Sequence, residues 1–138
     1  MKIVIGGSMS FATEQLEVKK TLEEMGHTIL ITDNIEKYAS DASIKKSFEE
    51  ELRLSLEDDI MMSFFKKIAE SDAFLVMNYE KKGVKGYIGT SVIMELGLAY
   101  YLGKKVYLLN DIDKEQNCAL EVAIINPTVI DGDLGKIK

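Results

Sequence analysis

The run GYIGTSVIMELGLAYYLGKK, residues 86–105, carries one acidic side chain, Glu95, among small and apolar residues. If a helix starts near Thr90 or Ser91, Glu95 falls near its first turn, just behind a loop of glycine and hydroxyl residues. Val92, Ile93, Met94, Leu96, Leu98 and Ala99 leave it little polar company. Two readings stand on spacing alone. Either Glu95 caps its own helix or faces solvent on a narrow polar stripe, or its neighbours desolvate a carboxylate that the helix start helps to stabilise. A dry, positioned carboxylate is what covalent glycosyl transfer requires.

Other residue types narrow the chemistry. Gly6-Gly7-Ser8-Met9-Ser10 lets the backbone turn tightly and present hydroxyls and amides to a ligand, with Ser10 as a helix N-cap. It is neither GxGxxG nor a Walker loop, because no lysine follows the glycines. Asp72, in ESDAFLVMN, precedes a strand, where an aspartate commonly ends a helix or forms an Asx turn. Asn78 and Tyr79 lie at the other end of that strand, where ligands bind. With one histidine, His27, and one cysteine, Cys118, neither a histidine triad nor a Cys/His zinc site can be assembled. Asp111, Asp113, Asp131 and Asp133 read as solvated loop acids rather than a metal cage, so no metal is expected. The methionines at 9, 25, 61, 62, 77 and 94 read as core filling.

The elements that must position these groups alternate. KIVIG (2–6), HTILITD (27–33), AFLVMN (73–78), KVYLLN (105–110) and PTVID (127–131) read as strands. The first helix is predicted over FATEQLEVKKTLEEMG, with Leu16, Val18, Leu22 and Met25 on one face and Gly26 as its stop. Residues 44–69 give the longest helical signal, with Phe48, Leu52, Leu56, Ile60, Phe64 and Ile68 at every fourth position, and LEDD as a point where it splits. A helix around Glu95 closes at Gly103, and EQNCALEVA holds a turn or two more. Repeated strand–helix–strand units predict one doubly wound α/β domain over residues 1–138, with five parallel strands in the order 2-1-3-4-5 and helices on both faces. Ligands of such sheets bind beyond the carboxyl ends of the strands, where strand order reverses.

Composition bounds the partners. The 138 residues are 46% hydrophobic and 29% charged, with a net charge of −6 and no basic cluster, which disfavours a nucleic acid polymer. The apolar run from Val92 to Leu102 is interrupted by Glu95 and falls short of a membrane span. The lone cysteine and the absence of a leader ahead of KIVIGG predict a cytoplasmic protein.

The order of IGGSMSF, ESDAFLVMNY and GTSVIMELGLAYYLGKKVYLL resembles the nucleoside 2-deoxyribosyltransferases and their relatives, the 2′-deoxynucleoside 5′-phosphate N-hydrolases. It does so over residues 2 to about 110, most clearly in E-L-G-x-A-x-x-x-G-K-x-V from Glu95 to Val106. The resemblance implies cleavage of the N-glycosidic bond of a nucleoside or its 5′-monophosphate, with Glu95 as the nucleophile at C1′. Asp72 would assist proton transfer to the base. Gly7, Ser8 and Met9 would hold the sugar or its 5′ end, Ser8 by contact with a phosphate. A homodimer or higher oligomer is implied, with Asn117 completing a neighbour's site, and no cofactor. One position departs from the pattern. The transferases carry an aspartate six residues before the nucleophile and the hydrolases a serine, whereas this chain has Gly89, preceded by Tyr87 and followed by Thr90 and Ser91. Either Thr90 or Ser91 substitutes or that contact is missing, which bears on transfer more than on cleavage. Two alternatives stand beside this reading. GYIGTSVIME is also similar to the G-G-x-G-T-x-x-E signature of lysine-decarboxylase-like phosphoribohydrolases, with the glutamate five rather than three residues after the threonine. A non-catalytic nucleotide sensor of the same architecture is the other.

Overall fold

The computed structural model describes residues 1–40 and 47–138. Five parallel strands, β1 (Lys2–Gly6), β2 (Thr28–Leu30), β3 (Ala73–Val76), β4 (Lys105–Leu108) and β5 (Thr128–Val129), form one sheet in the order β2-β1-β3-β4-β5. Helices α1 (Ala12–Glu24), α2 (Ile35–Ser40), α3 (Phe48–Asp58), α4 (Ile60–Glu70), α5 (Thr90–Tyr101) and α6 (Ala119–Ile125) connect them.

The central strands read as unbroken apolar runs because both faces are covered. Ile3, Ile5, Leu75, Met77, Tyr107 and Leu109 point to one side, where Leu22 of α1 and Ile130 and Ile137 of the C-terminal segment pack on them. Val4, Phe74, Val76, Val106 and Leu108 point to the other, under α4, α5 and α6. This two-residue alternation divides the core into two layers about one sheet. Gly6 stands opposite Val76, and Val76 opposite Leu108, so three strands end level at one edge.

The helical signal over 44–69 divides within LEDD, as expected, at Asp59, whose left-handed backbone (φ 44°) ends α3 while its carboxylate accepts the Met62 N–H to start α4. That kink rotates the two apolar stripes apart. Phe64 and Ile68 of α4 are buried, whereas Phe48 and Leu56 of α3 are each 73% exposed. The predicted positions 44–46 lie outside the described residues. Other elements differ from expectation. Of the face predicted for the first helix, Leu22 is buried but Met25, just past the end of α1, is exposed, and the polar Gln15 is buried in α1. The cap falls two residues before Ser10: Ser8 Oγ accepts the Ser10 N–H at 3.2 Å, opening a short 3-10 turn (Met9–Phe11) ahead of α1. α2 was not foreseen, and β2 through β5 are shorter than the runs that predicted them.

The end of β3 replaces ladder bonds with a side chain. Asn78, expected to face ligand, is buried, and its Oδ1 accepts the Asn110 N–H (2.9 Å) while its Nδ2 donates to the Asn110 carbonyl (2.6 Å). It therefore extends the β3–β4 pairing beyond the strands. Asn78→Ala is expected to destabilise the fold by about 2 kcal/mol, because the partners on Asn110 are left partly buried and unpaired. Urea titration reads this directly, and an unchanged midpoint would leave Asn78 free for ligand.

Candidate active site

α5 starts at Thr90, as expected, and places Glu95 at the beginning of its second turn. Val92, Leu96 and Ala99 form the buried line of the helix, at i, i+4 and i+7, and Glu95 rides the shoulder beside Leu96. There it forms part of the wall of a cavity of about 420 Å³ at the carboxyl end of the sheet. Among the described residues none pairs with its carboxyl, and burial alone pushes the group up from 4.5 to about 8.

Across the cavity runs the loop after β1. Gly7 (φ 142°) passes so close to β3 that an added Cβ would lie 3.0 Å from the Met77 carbonyl oxygen. Ser8 is held from three directions. Besides receiving the Ser10 amide, its hydroxyl accepts from Lys81 Nζ at 2.7 Å, and its carbonyl accepts from Gln15 Nε2 at 3.1 Å. Lys81 is aimed by a tight reversal: Lys81 and Val84 exchange backbone bonds of 3.1 and 2.9 Å around Lys82 (φ 54°) and Gly83 (φ 75°). Two successive positive φ angles make this the turn type that lysine-glycine tolerates poorly at its first position and well at its second. The Lys81 ammonium also lies 5.5 Å from the centroid of the Tyr87 ring.

The approach to α5 is clamped by Gln116. Its Oε1 accepts the Ile88 N–H (3.0 Å) and its Nε2 donates to the Gly86 carbonyl (3.0 Å). At Gly86 (φ 60°) an added Cβ would overlap the Asp111 carbonyl oxygen, so this loop and the one after β4 are packed backbone to backbone. Together they set Tyr87 and the extended Gly89 from which α5 begins. Ile60, Met61, Phe64 and Phe65 of α4 close the third side.

Of the residues singled out from sequence, Gly7, Ser8, Met9, Tyr87, Gly89, Thr90, Ser91 and Glu95 meet around this cavity. Four do not. Asp72 is at the opposite edge of the sheet: its carboxylate accepts the Lys2 N–H at 2.8 Å, and its backbone joins the starts of β1 and β4. The four residues of β3 put about 13 Å between it and the cavity edge. Asn78 is committed to Asn110, as above. Tyr79 packs edge-on against Phe11, with ring centroids 5.0 Å apart, and burial followed by the charges of Glu14 and Glu17 raises its phenol. Asn117 is exposed and off the wall; its neighbour Gln116 makes the loop contacts. Lys81, Gln116 and the α4 wall were missed. Only the KKG turn, with its glycine after paired lysines, signalled a reversal that would return Lys81 to the site.

Among the described residues no three His, Cys, Asp or Glu side chains gather to hold a metal ion, and no helix is long and apolar enough to cross a membrane. No protein-family model and no curated protein matches the chain. Among solved structures it is similar to the CMP N-glycosidase BcmB of Clostridium botulinum, with 16% sequence identity over 94% of this chain and 85% of that one, at a TM-score of 0.49.

A carboxyl held near 8 in the fold and near 4.5 when unfolded makes the folded state lose stability as pH rises between those values. Glu95→Gln removes that loss. The variant is expected to melt a few degrees above the parent at pH 9 and close to it at pH 4.5, by calorimetry at matched ionic strength. A difference that does not grow with pH would show a solvated carboxylate.

Proposed function

We propose that this chain cleaves the N-glycosidic bond of 2′-deoxynucleosides or their 5′-monophosphates through a covalent bond between Glu95 and C1′. The observation that carries this reading is a desolvated carboxyl facing a cavity whose other side presents Ser8, Lys81 and the backbone of the β1 loop. The resemblance of the Glu95–Val106 run to the deoxyribosyltransferase family supports the same assignment. A carboxylate oxygen of Glu95 attacks C1′, the C1′–N bond breaks, and its electron pair leaves on the base nitrogen. With Asp72 at the far edge, that nitrogen takes its proton from solvent. Water, or a second base, then attacks C1′ and returns the carboxylate. Gly89 in place of an orienting aspartate favours water, and so hydrolysis. Thr90, Ser91 and Tyr87 bound the sugar side, Met9 lies beside Ser8, and the ammonium of Lys81 favours a substrate bearing a 5′-phosphate. No cofactor enters these steps. A homodimer belongs to the same reading: Asn117 is exposed, as are Tyr101, Leu120 and Ile124, a surface available to a second copy.

One observation favours a binding domain without turnover. With its carboxyl near 8, Glu95 is mostly protonated at neutral pH and a poor nucleophile. Deoxynucleosides, ribonucleosides and their monophosphates, incubated with and without an acceptor base and followed by chromatography, decide between the two. Base release that Glu95→Ala lacks establishes cleavage; equal silence of both proteins takes most of the weight from the enzyme reading and brings the sensor forward. For a nucleophile, only the ionised form reacts, so kcat/KM is expected to rise about tenfold per pH unit from 6 and to level near 8. A fall over that range would make Glu95 a proton donor instead. Lys81→Met is expected to raise KM for monophosphates about tenfold or more while leaving nucleosides little affected, and equal effects on both would remove the phosphate contact.

A further inference from the structure

Ala12, Gln15 and Leu22 are the buried positions of α1, and Gln15, the polar one, is wholly enclosed. Only half of its amide is used. Nε2 donates to the Ser8 carbonyl at 3.1 Å, while Oε1, out of reach of solvent, has no hydrogen-bond partner among the described residues. The orientation of the amide follows from its neighbour: a carbonyl oxygen only accepts, so the NH2 end must face Ser8. Yet the Ser8 carbonyl already has a donor. The Phe11 N–H reaches it at 3.0 Å and closes the 3-10 turn. The bond from Gln15 is surplus to that turn, and the orphaned Oε1 weighs against folding. A methionine, of similar length and apolar, would fill the position without an orphaned oxygen. Packing alone does not account for a glutamine here.

The peptide that Gln15 grips suggests what it does. The Ser8 carbonyl and the Met9 N–H belong to one planar trans unit and point in opposite directions. α1 packs on one face of the sheet, whereas α4 and α5, which wall the cavity, pack on the other. Drawing the carbonyl toward α1 therefore turns the Met9 N–H the other way, to the side where Ser8 and Met9 line the cavity. That N–H has no acceptor among the described residues. We infer that Gln15 is a positioning residue, holding the Ser8–Met9 peptide so that the Met9 N–H joins the Lys81 ammonium as a donor to the substrate's 5′-phosphate. A flip of this peptide would aim a carbonyl oxygen at the phosphate instead, and Gln15 opposes the flip because Nε2 would lose its acceptor. The inference rests on the N-glycosidase reading for the identity of the anion, but the binding step can be followed without turnover.

The test compares the wild type with Gln15→Met by thermal melting, by titration with inorganic phosphate and by base release from 2′-deoxynucleosides and their 5′-monophosphates. The variant is expected to melt at or above the wild-type temperature, since the orphaned oxygen is gone. Its Kd for phosphate and its KM for monophosphates should each rise about tenfold, with kcat and the nucleoside reactions little changed. In amide NMR spectra, phosphate should shift the Met9 N–H of the wild type and move it far less in the variant. Unchanged phosphate affinity in a folded variant overturns the inference, as does an equal loss on nucleosides and monophosphates. A variant that melts well below the wild type or does not fold also overturns it, because the bond would then be structural. So does a wild-type Met9 N–H that phosphate leaves unmoved. If neither protein cleaves any substrate, the N-glycosidase reading fails, and the phosphate titrations and the Met9 signal still decide the role of Gln15.

Discussion

The site depends on β1 and β3 lying side by side in parallel, with Gly6 opposite Val76. Because both strands stop at the same level, their following loops leave the sheet next to each other and turn over one edge. The Ser8 hydroxyl and the Lys81 ammonium meet only for this reason, although the two residues are 73 positions apart. The same pairing places α5, the next element, with its N-terminal half over that edge. Topology thus delivers the two polar sides of the cavity before any side chain is considered. The crossover from β2 to β3 then supplies α4, which contributes Ile60, Met61, Phe64 and Phe65 at that level.

The cavity is consequently unequal in its electrostatics. At one end, a hydroxyl, a helix-start backbone and an ammonium are satisfied by each other and ready to accept negative charge. At the other, a carboxyl stands without a partner among the described residues, and its ionisation is opposed by the packing around it. The fold tolerates this because the group is uncharged over most of the pH range in which the molecule would otherwise be strained. A polar contact that relieved Glu95 would also make it ordinary. Burial at that one position therefore costs the fold stability as pH rises.

Much of this was legible in sequence, for identifiable reasons. Parallel strands buried on both faces must be unbroken apolar runs, and KIVIG, AFLV and KVYL are such runs. Their alternation with helical periods predicted the observed strand order. Glu95 stood out because nothing polar surrounds it, which is also what raises its pKa. Asp72 misled for a complementary reason: sequence places it beside a strand but does not say that its carboxylate would be spent on the Lys2 amide at the wrong edge. Lys81 and Gln116 were hidden because their roles depend on contacts between loops distant along the chain. The split at LEDD was legible, but not that a single left-handed residue, Asp59, would change the phase of the apolar stripe there and leave that of α3 exposed.

The span between Ser8 and Lys81 has a consequence for how the molecule is made. Closing a loop of that length is opposed by chain entropy until β3 has docked on β1, and nothing local can hold the two residues together beforehand. A growing chain would have to emerge past Leu108 before the central three strands could pair and past α5 before the cavity had its carboxyl. A fragment ending before α5 carries Ser8 and Lys81 but lacks the carboxyl. Assembly of the cavity and cooperative folding of the sheet are therefore a single event, and ligand would recognise only chains that have completed it.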